Sequence, residues 1–257
     1  MFELLNDVIA GSLFALMLIF ARFGTAVFLL PGFGDTTVPG RVRLLLALAI
    51  SLILTPVLQD QLPPQPEAVD ALVGLLVSEI LVGALFGTLM RFILTSLEVA
   101  GQIISLNIGL ANAFLFNPMF NSQSSLPAAL LATTGLALMF VTDLHHLIFM
   151  ALADTYNVFE PGVPTPIGDM SEMVRRKLMD SFALGAQMAA PFIIITMLFF
   201  LALGVLARIM PQMQIFFIAL PVQQIGGIIM LLLGSSSILM VWLTYADDQI
   251  GMFLNGP

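Results

Sequence analysis

Long apolar runs separated by short polar segments dominate the chain. The runs cover about residues 8–31, 42–58, 69–94, 126–153, 181–207 and 213–245. Each approaches or exceeds the roughly 20 residues that an α-helix needs to cross a bilayer. The pattern therefore predicts an all-α membrane protein with about six long helices.

Prolines lie in or at the edges of these runs, at Pro56, Pro191, Pro211 and Pro221. Proline lacks a backbone N–H and disfavours helical backbone at the preceding residue. Irregular backbone at membrane depth is tolerated only where protein or a water-filled cavity covers it. We therefore expect Pro- and Gly-broken helices that are arranged as hairpins and packed against other protein.

One long polar segment suggests an internal boundary. Residues 157–180 are rich in proline and glycine at first and charged afterwards. Such a composition is typical of a loop between two parts of a chain. It predicts a four-helix front at 1–160, a connecting loop at 161–180 and a helical hairpin at 181–257.

The composition supports the membrane assignment. Of the 257 residues, 59% are hydrophobic and 9% are charged, against about 45–50% and about 25% in soluble domains. There is no cysteine, so thiolate chemistry is absent. The formal net charge of −8 argues against nucleic-acid binding. The acidic start of the chain, with Glu3 and Asp7, does not resemble a cleaved signal peptide.

Basic residues favour one orientation in the membrane. Arg41, Arg43, Arg91 and Arg208 fall on one side of the predicted helices, so the positive-inside rule places both termini away from the cytoplasm. The basic cluster at 175–177 runs against this assignment.

Four ionisable residues lie within or beside apolar runs: Arg22, Glu79, Arg91 and Glu98. Such residues usually face the interior of a bundle, form ion pairs or line a pathway. We expect them to be buried ionisable groups, with structural ion pairs favoured over a transport role.

Candidate chemistry is sparse. Asp143, His145 and His146 form the only grouping that resembles a metal site. Adjacent residues on a helix point about 100° apart, so no i, i+4 pair of ligands is available. Polar residues in an interhelical contact or facing a cavity are favoured, and no metal or cofactor is predicted.

No phosphate-binding loop or hydrolase motif is present. The serines at 235–237 have no histidine nearby in sequence, and they fit close helix packing better than nucleophilic catalysis. The sequence therefore predicts a protein that is not an enzyme.

The segment "GLANAFLFNPMF", residues 109–120, is aromatic yet unsuited to a regular helix. Four stretches, this one included, resemble in order the FliR family of flagellar biosynthesis proteins. The others are "ARFGTAVFLLPGFGDTTVPGRVRLLLALAISL", "HHLIFMALADTYNVFEPG" and "LARIMPQMQIFFIALPVQQIGG". The resemblance covers essentially the whole chain.

The resemblance implies a non-enzymatic subunit of the flagellar type III protein export gate in the bacterial inner membrane, within the flagellar basal body. Such a subunit assembles with FliP-type, FliQ-type and FlhB-type subunits around a channel for unfolded flagellar proteins. It further implies that the front, 1–160, is similar in fold to a FliP subunit and the back, 181–257, to a FliQ subunit.

The resemblance also implies site residues. A pore plug falls within residues 109–125, with candidate seal and turn residues Phe114, Phe116, Asn117, Pro118, Met119 and Phe120. Arg208, Pro211 and Gln212 fall at the cytoplasmic entrance of the FliQ-like hairpin, where subunits meet.

Two alternatives stay open on the residues alone. A small-solute secondary transporter also uses broken helices, but it needs a polar site near the middle of the membrane. An intramembrane enzyme would show activity as an isolated chain.

Overall fold

The computed structural model describes residues 2–35, 37–110, 125–210 and 215–254. These residues form seven α-helices and one 3₁₀ turn at Gln59–Gln61, with no β-strand among them. The helices are α1 (Phe2–Leu29), α2 (Gly40–Leu58), α3 (Val69–Asn107), α4 (Leu126–Val141), α5 (Leu144–Val158), α6 (Ile167–Ile209) and α7 (Ile215–Leu254). The all-α prediction is confirmed.

Five of the described helices are long and apolar enough to cross a membrane. The pair α4 and α5 passes the same criterion if its two helices count as one bent span, which brings the number to six. This agrees with the six runs found in the sequence.

The break between α4 and α5 falls at Thr142 and Asp143. Asp143 has a φ of 59°, in the left-handed region, where aspartate is one of the few side chains found with any frequency. Elsewhere the helices continue past proline: Pro56, Pro191 and Pro221 all lie inside helices. The helical runs thus extend through positions where the sequence suggested breaks.

The expected connecting loop at 161–180 needs correction, because α6 begins at Ile167. Asp169 lies in the first turn, where a negative charge favours the helix dipole. Glu172 then pairs with Arg175 at 2.5 Å and with Arg176 at 2.9 Å, one turn further along. The charged residues therefore form a polar extension of an apolar helix rather than a loop.

The chain divides into two compact units. The first contains Met1–Phe92, Asp143–Leu178 and Asp248–Pro257, and the second contains Ile93–Thr142 and Met179–Asp247. Each unit interleaves distant parts of the sequence.

These two contact units differ from the FliP-like and FliQ-like parts that the family resemblance implies. A FliP-like part at 1–160 and a FliQ-like part at 181–257 would follow chain order, whereas the contact units do not. The similarity of 1–160 to a FliP subunit and of 181–257 to a FliQ subunit therefore stays a prediction.

In the first unit, α1 and α3 pack closely through two glycines one turn apart. A Cβ atom on Gly83 would overlap the backbone of Arg22, and one on Gly87 would crowd Ala26 and Leu29. Small residues four apart allow this close approach of membrane helices. A buried cluster lies on the same helix: Val82, Leu85 and Leu89, with Met170 from α6.

In the second unit, Trp242 of α7 is 1% exposed, and its indole Nε1 donates to the carbonyl oxygen of Ile93 at 2.8 Å. Gly135 of α4 lies where a Cβ would meet Leu97 and the Trp242 ring. Gly185 of α6 packs against Val99 in the same way. The second half of α3 is therefore surrounded by α4, α6 and α7.

Candidate functional site

The residues expected to seal a pore lie at 114–120, within 111–124 and outside the described residues. Pro211 and Gln212 also lie outside them. The structure does describe both ends of 111–124, within the second unit.

The chain enters 111–124 from the end of α3, where side chains of two other helices bind its last carbonyls. The Asn107 carbonyl oxygen accepts hydrogen bonds from Thr196 Oγ1 of α6 at 3.1 Å and from Gln223 Nε2 of α7 at 2.5 Å. Gln224 Nε2 donates to the Gly109 carbonyl oxygen at 3.4 Å. Carbonyls at a helix end lack partners in their own helix, so these side chains satisfy them.

The turn that ends α3 depends on Gly109. Its φ is 78°, and its N–H donates to the carbonyl of Leu106 at 3.3 Å. Glycine adopts this left-handed conformation without strain and commonly ends helices in this way. Asn107 adds a side-chain bond from Nδ2 to the Ile103 carbonyl at 2.8 Å.

The chain returns from 111–124 at Ser125, which begins α4 and also contacts α3. Ser125 Oγ accepts from the Ala128 N–H at 3.4 Å, as an N-cap residue does, and donates to the Gly101 carbonyl at 3.4 Å. Gly101 allows this approach, because a Cβ there would overlap the Ala128 backbone. The described residues on the two sides of 111–124 therefore meet α3 at Asn107 and at Gly101, roughly 9 Å apart along the helix by its rise per residue.

A cavity of about 180 Å³ adjoins the first attachment. Its walls are mostly apolar, with Thr196 and Gln223 among the few polar members. The other lining residues are Ile108, Phe192, Ile195, Phe199, Val222, Gly226, Gly227 and Met230. The hydrogen bonds to Asn107 thus form in surroundings with little competing polarity.

The first unit contains a buried charge centre formed by Arg22 and Glu79. Both residues have no exposed surface. Arg22 Nε donates to Glu79 Oε2 at 2.6 Å and Nη2 donates to Oε1 at 3.0 Å. This paired geometry matches the fork of a guanidinium to both carboxylate oxygens.

Residues of α5 and the following turn complete this centre. Arg22 Nη1 donates to Thr155 Oγ1 at 3.1 Å, and Nη2 also donates to the Phe159 carbonyl at 3.0 Å. The Arg22 guanidinium lies 3.7 Å from the centroid of the Tyr156 ring. Arg22, Glu79, Thr155 and Tyr156, the arginine centre, therefore join α1, α3 and α5.

Arg91 and Glu98, expected to be buried with Arg22 and Glu79, are exposed on this chain. They lie seven residues apart on one side of α3, which has an apolar composition. The single chain thus buries Arg22 and Glu79 and leaves Arg91 and Glu98 at its surface, so burial of the second pair stays a prediction that depends on other subunits. Arg208 is also exposed, in the last turn of α6, where a positive charge favours the helix dipole.

Asp143, His145 and His146 come together because the helix is broken at Asp143. One ligand atom from each lies within 4.8 Å of the others, and His146 Nδ1 is 3.4 Å from Asp143 Oδ1. An uninterrupted helix would not bring all three side chains together. The side chains of His146 and Asp143 are 67% and 74% exposed, and exposed groups of this kind are common without a bound ion.

The sequence reasoning did not identify Thr155, Thr196, Gln223 or Gln224. Each is a neutral polar residue in a predominantly apolar helix. That isolation is the signal by which they are recognisable, because a polar group in apolar surroundings requires a hydrogen-bond partner.

These features define the chain as an all-α integral membrane protein with a buried ion pair, in which the described residues on both sides of 111–124 are fixed by hydrogen bonds. The model of the family described as bacterial export proteins, family 1, matches residues 13–248. The chain therefore belongs to this family of export proteins.

Individual relatives agree with this family. The chain is 40% identical to the flagellar biosynthetic protein FliR of Caulobacter vibrioides, over 95% of this chain and 97% of the relative. It is 27% identical to the FliR protein of Bacillus subtilis, over 88% of each chain. It is also 27% identical to the Yop proteins translocation protein T of Yersinia pestis, over 86% of this chain and 85% of the relative. The resemblance to the FliR family is confirmed.

Proposed function

We propose that this chain is a non-enzymatic subunit of the flagellar type III protein export gate in the bacterial inner membrane, and that residues 111–124 close its channel at rest. The observation that carries the proposal is that the residues on either side of this aromatic segment are fixed: side chains of α6 and α7 bind the carbonyls of Asn107 and Gly109, and Ser125 binds Gly101 of α3. Membership of an export family and similarity to flagellar biosynthetic proteins along nearly the whole chain support it.

The chemistry of the segment suits a seal. Phe114, Phe116, Met119 and Phe120 supply apolar side chains, and Asn117–Pro118 supplies a turn. An apolar constriction excludes water, because its walls offer no hydrogen-bond partners, and it excludes ions, because they would lose their hydration shells there. An unfolded exported protein would displace the side chains and pass without any covalent step.

The surface of the described residues suits an assembly with partner subunits. Arg91 and Glu98 are exposed on α3, although charged side chains facing lipid are costly. Covering this side with FliP-type or FliQ-type subunits, or with a water-filled channel, removes that cost. We assign Arg208, together with Pro211 and Gln212, to contacts at the entrance, and an FlhB-type subunit to the same complex.

The seal is tested by replacing Phe114, Phe116 and Phe120 together with alanine. We expect cells that make the variant to leak ions, as reported by a membrane-potential dye, because the constriction loses most of its apolar volume. The matched control replaces three described phenylalanines, Phe140, Phe182 and Phe200. A membrane that stays sealed in the first variant, with the protein at normal abundance, would refute the proposed seal.

The assembly is tested by expressing the chain alone and together with FliP-type and FliQ-type subunits. We expect a stable complex only in the second case, because the exposed apolar and charged surface of the chain needs partners. A monodisperse, well-folded chain without partners would contradict this and would favour a transporter that acts alone.

A further inference from the structure

We infer that Thr196, Gln223 and Gln224 act together as a clamp that holds the end of α3, from which residues 111–124 follow, on α6 and α7 and so keeps the channel closed. These three residues are named the base clamp. The inference rests on the proposed function of 111–124 as a seal. It assigns the control of that seal to residues outside it.

The hydrogen bonds of the base clamp are hard to replace. Asn107 O accepts from two side chains, Thr196 and Gln223, which use both of its lone pairs. A carbonyl deprived of donors in apolar surroundings is left unsatisfied, and such a loss costs more than the net value of a hydrogen bond made in water. The bonds therefore strongly favour the attached arrangement over a detached one.

Close packing of α7 against the end of α3 adds a steric contribution to the base clamp, beside its hydrogen bonds. Gly227, one turn after Gln223 on α7, lies directly against Ile108. A Cβ atom on Gly227 would overlap Cβ and Cγ2 of Ile108. The neighbouring Gly226 also lines the cavity, but a Cβ there would meet nothing within 4 Å. Of these two glycines, only Gly227 is required for the close contact with Ile108, near the end of α3.

The donors and acceptors belong to different helices, which gives the clamp a means of release. The acceptors are carbonyls at the end of α3, whereas the donors belong to α6 and α7. Separation of α3 from these two helices would break all three bonds together. The base clamp therefore couples the packing of α6 and α7 on α3 to the position at which the seal begins.

The hydrogen-bond component is tested with Gln223→Leu and Gln224→Leu, alone and together, in cells that contain the complete export gate. We expect ion leakage through the resting gate to rise roughly fivefold for one lost hydrogen bond, with the complex at normal abundance. Thr244→Val is the control, because among the described residues the Thr244 hydroxyl bonds within its own helix, to Met240. Wild-type leakage in the double variant at normal abundance would overturn the inference.

The steric component is tested with Gly227→Ala against Gly226→Ala. We expect leakage from the first variant and a sealed membrane in the second. Equal leakage from both variants, or none from either, would overturn the role of Gly227. If Gln223→Leu prevents assembly, Gln223→Asn replaces it, because the shorter amide leaves Asn107 O out of reach without removing a polar side chain. A sealed gate with Gln223→Asn at normal abundance would also overturn the inference.

Comparison with the variant that lacks Phe114, Phe116 and Phe120 separates this inference from the proposed function. Leakage from the phenylalanine variant without leakage from the clamp variants refutes the base clamp and leaves the seal in place. Sealed membranes in both kinds of variant refute the seal itself. Leakage from both supports the base clamp.

Discussion

The arginine centre and the base clamp join helices by opposite means. The arginine centre uses a charged pair, Arg22 and Glu79, that is wholly buried. The base clamp uses neutral side chains that are only partly buried, and it adjoins a cavity. Loss of one partner of a buried ion pair destabilises a protein by several kcal/mol, whereas loss of a neutral hydrogen bond in apolar surroundings costs less, although more than the net value of that bond in water. The first suits a permanent joint and the second a joint that opens.

The largest expected effect follows from breaking the arginine centre. Arg22→Met leaves the Glu79 carboxylate buried without its partner, at a cost of about 3–5 kcal/mol. We expect most of the protein to disappear from the membrane fraction, as measured by immunoblot. The double variant Arg22→Met, Glu79→Met removes both charges, and we expect it to recover much of the lost abundance. Normal abundance of Arg22→Met would show that this joint is not essential.

A smaller effect is expected from packing near the same centre. Gly83→Ala places a methyl group against the backbone of Arg22, and overpacking of this kind costs about 1–3 kcal/mol. Gly74→Ala, in the same helix, is the control because a Cβ there meets nothing within 4 Å. The thermal unfolding midpoint of the purified complex should fall for the first variant only. Similar midpoints for the two would contradict the close approach of α1 and α3.

Removal of Thr155, a neutral hydrogen-bond partner of Arg22 in the arginine centre, should destabilise the protein less than loss of the ion pair. Thr155→Val removes the hydroxyl that accepts from Arg22 Nη1, and we expect a loss of about 1.5 kcal/mol, because Arg22 keeps its bonds to Glu79 and Phe159. Thr133→Val is the control, because Thr133 is exposed and its hydroxyl, in the part of the chain that the structure describes, bonds within its own helix. A loss as large as that of Arg22→Met would mean that Thr155, rather than Glu79, dominates the arginine centre.

The smallest effect is expected at the exposed charges of α6. Glu172 pairs with Arg175 and Arg176, but all three side chains are substantially exposed. Glu172→Gln should lower the thermal unfolding midpoint of the purified complex only slightly, and the difference should shrink as salt is raised. The destabilisation by Arg22→Met should persist in high salt, because its charges are shielded from solvent. A strong salt effect on the Arg22→Met variant would place the centre in contact with water.

The accuracy of the sequence predictions followed the kind of signal behind them. Apolar runs predicted the helices well, because a membrane-length helix needs about 20 apolar residues whatever it packs against. Charge was a weaker guide. Residues 167–180 looked like a loop because they are charged, yet the Glu172 pairs support a helix there. Charged side chains are unfavourable in contact with lipid, but they are compatible with a helix that extends beyond the lipid.

The candidate site shows a similar division. Family resemblance directed attention to 109–120, and composition marked Arg22, Glu79, Arg91 and Glu98 alike. Arg22 and Glu79 are buried where α1 packs on α3, whereas Arg91 and Glu98 are exposed further along α3. Helical periodicity relates residues within one helix, and it carries no information about which neighbour covers each side.

The sequence by itself determined the class of the protein, the number of apolar helices and the family, since these depend on composition, length and ordered motifs. Only the tertiary structure decided that Glu79 is the partner of Arg22, and that Thr196 and Gln223 both bind the carbonyl of Asn107. The physical reason is distance along the chain. These partners are far apart in sequence, and only the packing of whole helices brings their polar atoms within hydrogen-bonding distance.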